Sequence, residues 1–250
     1  MNTPLDSINI CGLKAVQAVF RHHPEHVERI YFTAALEEQS APFCQILTRL
    51  RKFSKKVTDD EMQRITKTVH HGGIVAVTNR PAPAAPTARE LRTWKAERLP
   101  ILLLDRIGNP HNLGAIIRSA AFFGIKRVVI ARHPAQAMPS DAVYRIAEGG
   151  MESVSLYVVP KLADFCYQIT NDFMVIGADV HTQNAASFRT APSNDHRAPA
   201  LVLGNEETGL DSAVQQACEK LVCIPGSGAV ESLNVSSAAA VLMAWLVQSR

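Results

Sequence analysis

Long apolar runs, paired cysteines and glycine-rich phosphate loops are all missing from this sequence, and each absence narrows what the chain can be. The longest uninterrupted apolar stretch, Ala238 to Val247, is ten residues, about half of the roughly 20 that a bilayer span requires, so no membrane partner is expected. The opening residues, MNTPLDSINICGLK, place no basic segment ahead of an apolar one and do not read as a secretory signal. The five cysteines, Cys11, Cys44, Cys166, Cys218 and Cys223, are odd in number, scattered and without a CxxC pair. They read as reduced thiols of a cytoplasmic protein, with no metal site expected. No GxGxxG follows a strand and no Walker A loop occurs, which removes most of the ground for nicotinamide or ATP chemistry.

What is present is ordinary globular material. Of 250 residues, 47% are hydrophobic and 20% charged, enough for one or two domains. The net charge of +3 is unevenly spread. Residues 1–98 carry fifteen Lys/Arg against ten Asp/Glu, and residues 99–250 carry eleven against thirteen. A basic front half suggests that this half meets a polyanion, although a solvated lysine-rich face would give the same count. Arg80-Pro-Ala-Pro-Ala-Ala-Pro-Thr87 has neither helical nor strand periodicity. Proline removes donors and extends its predecessor, so this stretch reads as a semi-rigid linker. The expected division is a small domain over 1–80, a linker with a short helix over 81–98, and a larger domain over 99–250.

In the front domain, helices are expected over 13–20, 43–53 and 59–68, the last capped by Thr58 or Asp59, with strands over 27–33 and 71–78. Arg49, Arg51, Lys52, Lys55 and Lys56 form its densest basic stretch. In the back domain, the apolar run Ile101-Leu-Leu-Leu is of the kind buried on both faces of a parallel sheet. Further strands are expected over 126–131, 173–178, 200–203 and 221–224, with a helix over 112–123 ended by Gly124. The class is α/β, with a mostly parallel sheet covered by helices. The last helix, Val235 to Val247, is apolar nearly all round and requires cover on every side, by the fold and by a second subunit.

Three loops at strand ends carry the candidate chemistry, because open α/β sheets place ligands there. Asn109-Pro-His-Asn-Leu-Gly-Ala-Ile-Ile-Arg118 sets Asn112 at a helix start and Arg118 on an apolar helix, where a buried guanidinium needs an anion or an internal ion pair. Leu203-Gly-Asn-Glu-Glu-Thr-Gly-Leu210 offers a permissive Gly204 beside the Glu206 carboxylate; an ordinary turn with a solvated acidic pair is the plainer reading. Ile224-Pro-Gly-Ser-Gly-Ala-Val-Glu-Ser-Leu-Asn-Val235 brings Ser232 and Asn234 to the start of the last helix, where capping accounts for one of them but not for the whole loop.

Together these three phrases resemble the motifs of the SpoU (TrmH-type) RNA 2′-O-ribose methyltransferases, a branch of the SPOUT superfamily, across the whole of 99–250. The front domain is similar to the small ribosomal-protein-like substrate-binding domain of that family, with His71-Gly-Gly-Ile-Val-Ala as its closing strand. The resemblance implies a C-terminal α/β domain with a trefoil knot, a homodimer, S-adenosyl-L-methionine as cofactor, and methyl transfer to a ribose 2′-hydroxyl of ribosomal or transfer RNA. It implies cofactor contacts at Gly204, Ile224 and Leu233, and places Arg118 first in catalysis with Asn112, Glu206, Ser232 and Asn234 around it. A catalytically idle RNA-binding or ribosome-assembly factor that keeps the same scaffold is the alternative.

Overall fold

The computed structural model describes residues 5–178, 186–187 and 196–248. Along the chain run β1 (Leu5–Cys11), α1 (Leu13–His22), β2 (Val27–Phe32), α2 (Glu37–Arg49), β3 (Phe53–Lys56), α3 (Asp59–Thr66), β4 (Ile74–Pro81) and α4 (Ala88–Glu97). There follow β5 (Ile101–Leu104), α5 (Pro110–Phe122), β6 (Arg127–Ala131), α6 (Asp141–Ala147), β7 (Ser155–Val159), α7 (Leu162–Ile169) and β8 (Phe173–Ala178). The rest are β9 (Ala186–Ser187), β10 (Ala198–Leu203), α8 (Ser212–Gln216), β11 (Lys220–Cys223) and α9 (Val235–Gln248). They divide into two units, Met1–Ala82 with Pro139–Ser153, and Pro83–Met138 with Val154–Arg250.

The first unit is a four-stranded sheet of order β1-β4-β2-β3. On one side α1 buries Val16, Val19 and Phe20 while α2 buries Phe43 and Leu47, and the Phe20 and Phe43 rings stack at 4.7 Å. On the other, α3 contributes Met62 and Ile65 to a small cluster with Cys11, Tyr31, Val57 and Val75. Thr58, not Asp59, caps α3, through a reciprocal box with Glu61. Strands β1, β3 and β7 lie outside the sequence expectations: in β1 polar residues interrupt the apolar ones and in β3 the apolar residues are few, whereas β7, Ser-Leu-Tyr-Val-Val, is simply a short apolar run that was passed over. The expected linker begins later than read: β4 continues to Pro81, opposite Leu5, beyond the residues that pair with β2.

Two pieces of chain belong elsewhere than their sequence position suggests. The helix α4, expected as part of a linker, is core of the second unit: Trp94 is 2% exposed, meets Tyr157 edge-on at 4.9 Å and lies under the Arg127 guanidinium at 5.3 Å. Conversely, Pro139–Ser153, expected within the back domain, groups with the first unit. The Asp141 carboxylate there accepts hydrogen bonds from the backbone N–H and the side-chain amide of Asn9, at 2.9 and 3.1 Å. Arg80 donates to both oxygens of Glu152 at 2.8 Å and lies over the Tyr144 ring. Gly149 (φ +93°) leaves no room for a side chain, since a Cβ would stand 2.7 Å from that of Ala18.

The second unit is a seven-stranded sheet of order β7-β6-β5-β10-β8-β11-β9, parallel at every pairing. Strands β5 and β6 are buried along their whole length, as parallel strands covered on both faces must be. The order brings the loops that follow β5, β10 and β11 toward one end of the sheet. Burial pushes the Cys11 and Cys166 thiols up to about 12, with nearby Asp141 and Cys218 acting in the same direction, so both stay protonated and inert.

The Arg80–Glu152 pair is almost fully buried, with side-chain exposures of 12% and 1%. Removing one member of such a pair strands the other charge, so Glu152→Ala is expected to lower stability by about 3–5 kcal/mol. Urea unfolding followed by circular dichroism measures this, and an unchanged midpoint would show that the pair does not hold Pro139–Ser153 in place.

Candidate active site

Parallel neighbours β5 and β10 end side by side, and the first residue beyond β5 ties their two loops together. Asp105 donates its backbone N–H to the Leu203 carbonyl at 2.8 Å. Its buried carboxylate accepts the Asp211 N–H at 2.7 Å and hydrogen bonds from the Arg106 guanidinium at 3.1 to 3.3 Å. Arg106, held at φ +57°, also donates to the Gly209 carbonyl at 3.1 Å and to Thr208 Oγ1 at 3.2 Å. From the other loop, Asn205 donates its side-chain amide to the Arg106 carbonyl at 2.9 Å, and its Oδ1 accepts the N–H groups of Glu207 and Thr208. Asn205 and Gly209 then exchange backbone hydrogen bonds at 3.0 and 3.1 Å, closing the turn. The turn folds back so tightly that a Cβ on Gly204 would lie 2.5 Å from the Gly209 carbonyl carbon and 2.6 Å from the Leu210 nitrogen. Asp105, Arg106 and Asn205 were not singled out in the sequence; a charged pair directly after a wholly buried strand is the signal that could have found them.

A second network is directional. Asn234 Oδ1 accepts from the backbone N–H of Ser236 at 2.9 Å and from its hydroxyl at 2.6 Å. The Asn234 amide nitrogen therefore faces the other way and donates to Asn112 Oδ1 at 3.1 Å. That fixes the Asn112 amide in turn, whose nitrogen donates to Glu206 Oε1. Three of the residues singled out in the sequence, one from each loop, thus form a chain of hydrogen bonds that ends on a carboxylate. Asn234 caps α9 through its oxygen and reaches across to α5 through its nitrogen. Asn112 does not cap its helix. That role falls to Asn109, which accepts the His111 N–H, and Asn112 is inside the first turn.

Beside this chain lies a small cleft that is open at its mouth. Gly204, Glu206, Ile224, Ser232 and Leu233 all line it, with Ala178, Leu203, Val222, Val235 and Leu242 making it largely apolar. Arg118 is not among the lining residues. The burial expected for it is not observed: it stands on the exposed side of α5, whose buried residues are Leu113, Gly114, Ile116, Ile117 and Ala120. Helix α9 is covered on one side only, through Val235, Ala239, Leu242, Met243 and Leu246, and leaves Val241 and Val247 exposed.

In the first unit, the basic stretch is largely neutralised. Lys52 pairs with Glu28 at 3.1 Å, Lys55 with Glu61 at 3.8 Å and Lys56 with Glu37 at 2.9 Å. Arg49 and Arg51 are exposed and make no ion pair among the described residues. One trio there, His23, Glu25 and His26, brings potential metal-ligand atoms within 4.8 Å of one another, a clustering not foreseen in the sequence. Burial first, and then the Arg80 charge, lower the proton affinity of His26.

The family profile of SpoU rRNA Methylase matches residues 100–244, and that of RNA 2′-O ribose methyltransferase substrate binding matches residues 9–84. The chain belongs to the SpoU rRNA methylase family. It carries a methylase domain of that family and the substrate-binding domain that accompanies RNA ribose 2′-O-methyltransferases. A 23S rRNA (guanosine-2′-O-)-methyltransferase of Bordetella pertussis is 30% identical over 243 residues, 96% of this chain and 97% of that protein. A protein of Escherichia coli O157:H7 bearing the name uncharacterized tRNA/rRNA methyltransferase is 31% identical over 249 residues, 98% of this chain and 69% of its own. In fold, the SpoU chain is similar to the methyltransferase AviRb from Streptomyces viridochromogenes, crystallised in complex with AdoMet, with a TM-score of 0.77, 21% identity, and coverage of 97% and 90% of the two chains. A TrmH-family protein from Porphyromonas gingivalis gives a TM-score of 0.73 at 24% identity, covering 96% and 89%.

The tightness of the turn at Gly204 generates a direct expectation. Gly204→Ala forces backbone against backbone and is expected to cost about 1–3 kcal/mol. Urea unfolding measures it, and a variant as stable as the parent would mean that the turn opens freely.

Proposed function

We propose that this SpoU-family chain transfers a methyl group from S-adenosylmethionine to a ribose 2′-hydroxyl of large-subunit ribosomal RNA, in the cleft between the loops that follow β5, β10 and β11. The hydrogen-bonded chain Asn234–Asn112–Glu206 carries this reading, because it ties one polar group from each loop together and ends on the Glu206 carboxylate that lines the apolar cleft. The cleft suits the cofactor: its walls are apolar, and Glu206 is the single charged residue among the described lining residues. Gly204, Ile224 and Leu233 would hold it, and Glu206 would favour its positive charge. When bound, S-adenosylmethionine supplies a methyl group on a sulfonium, an electrophile that needs only an aligned oxygen.

The protein residues provide that alignment. Asn112, fixed by its neighbours on both sides, and Ser232 at the cleft are placed to position the ribose. A guanidinium offers donors and no acceptor, so Arg118 is not assigned the role of base. On the exposed side of α5 it is placed to grip an RNA phosphate bidentately and orient the hydroxyl, whose proton departs to that phosphate. The names of the full-length relatives favour 23S ribosomal RNA over transfer RNA. Among the described residues no helix is long and apolar enough to cross a membrane, and a cytoplasmic enzyme fits a ribosomal substrate.

The exposed Val241 and Val247 of α9 support a homodimer in which a second copy covers that helix. The trefoil knot expected of the family is supported by the strand order, in which β10 enters between β5 and β8 after β8 is already laid down, and β11 between β8 and β9.

Labelled methyl transfer to unmodified ribosomal and transfer RNA tests the activity. Ribosomal RNA is expected to take the label, and Arg118→Ala to lower the rate by about a hundredfold or more, with cofactor binding by equilibrium dialysis unchanged. No label on either RNA from a cofactor-binding protein would leave an idle RNA-binding factor instead. For the dimer, sedimentation is expected to give twice the 27.3 kDa of one chain, and Val241→Asp to shift the protein to monomer. A wild-type monomer would refute the interface.

A further inference from the structure

The four-stranded sheet of the first unit has one face that its helices cover incompletely. Register aligns Asn9 of β1, Val77 of β4, Arg29 of β2 and Phe53 of β3 as one row across that face. The next row, Cys11, Val75, Tyr31 and Lys55, is the one covered by α3, whose Met62 and Ile65 pack on Cys11, Val75 and Tyr31. A helix of 8 residues reaches no further. Asn9 is engaged by Asp141, but at the other end of its row Phe53 stays 50% exposed and Arg29 stays exposed beside it. The Phe53 ring is braced by Tyr31, which meets it edge-on at 6.0 Å and 62°.

Edge strands are commonly blunted with charge, and Lys55 and Lys56 on β3 do that. Arg29 cannot have that purpose, because β2 lies inside the sheet, between β4 and β3. It makes no ion pair among the described residues, and neither does Arg51, two residues before Phe53, while the lysines around them are paired with glutamates. An exposed aromatic ring on a sheet face, flanked by two arginines with no counter-charge, has the chemistry of a single-stranded nucleic-acid site: a π-face for a base and guanidinium groups for the phosphates on either side. We propose that Phe53, braced by Tyr31 and flanked by Arg29 and Arg51, is a stacking platform for one unpaired base of the RNA substrate. This rests on the reading of the chain as an RNA methyltransferase and adds to it where the substrate is gripped away from the cleft. It also predicts that the first unit selects unpaired RNA, since a base within a duplex presents no free face.

The test is fluorescence anisotropy of the full chain with a labelled single-stranded oligoadenylate, and with the same strand paired in a duplex. Phe53→Leu is expected to weaken single-strand binding about tenfold, and Phe53→Trp to preserve it. Arg29→Gln is expected to reduce the slope of log Kd against log salt by about 0.7. Thermal unfolding by circular dichroism, unchanged in Phe53→Leu, separates lost stacking from lost structure. Binding by Phe53→Leu equal to wild type, wild-type preference for the duplex, or no binding of either strand would each overturn the platform. Methyl transfer by the wild type is scored separately. Transfer with a Phe53-independent affinity refutes the platform alone, and Phe53-dependent binding without transfer refutes the enzymatic reading alone.

Discussion

Everything at the candidate site depends on how closely the ends of β5 and β10 approach. They are parallel neighbours, so their following loops start from one place, and two features hold those loops together there. One is the Asp105 carboxylate, which satisfies the Asp211 N–H and the Arg106 guanidinium at once. The other is the bare backbone of Gly204, against which the return of the turn at Gly209 and Leu210 is packed. A buried carboxylate is tolerable only when its lone pairs are filled, and here the donors come from both loops. The constraint works in both directions: the turn gives the carboxylate its donors, and the carboxylate fixes where the turn presents Glu206.

The polar chain is the next consequence. Because Asn234 must cap α9 through its oxygen, its nitrogen is committed to Asn112, and the Asn112 nitrogen to Glu206. An ordinary helix-capping requirement therefore sets the orientation of two other side chains. The bonds that cap α9 are also the ones that turn the Asn234 nitrogen toward Asn112.

Much of this was legible in the sequence, for physical reasons that differ by element. The fully buried β5 announces itself because burial dictates composition directly, whereas α9 is apolar all round but covered on one side only. Gly204, Glu206, Asn112 and Asn234 could be selected because they fall in three loops at strand ends whose phrases together resemble the SpoU motifs, although each alone had a plain structural reading. Strand β1 was not legible, since polar Asp6, Ser7 and Asn9 interrupt its apolar residues. The placement of Pro139–Ser153 with the first unit was not legible either: it depends on pairings such as Asn9 with Asp141 and Arg80 with Glu152, which no local pattern encodes. Arg118 is the instructive reversal. Its apolar neighbours suggested burial, yet a helix has two sides, and the arginine occupies the one facing water.

The strand order of the second unit also bears on how the chain reaches this structure. Ile101 pairs with Ala200 and Leu104 with Leu203, so the central contact of the sheet joins segments about a hundred residues apart. Loop closure over that distance must come before any of the burial that rewards it, and such topologies fold slowly. Until β10 arrives, the apolar edge of Ile101–Leu104 has no partner on that side. Four residues that are wholly buried in the finished protein are then an unpaired apolar edge exposed to aggregation during folding.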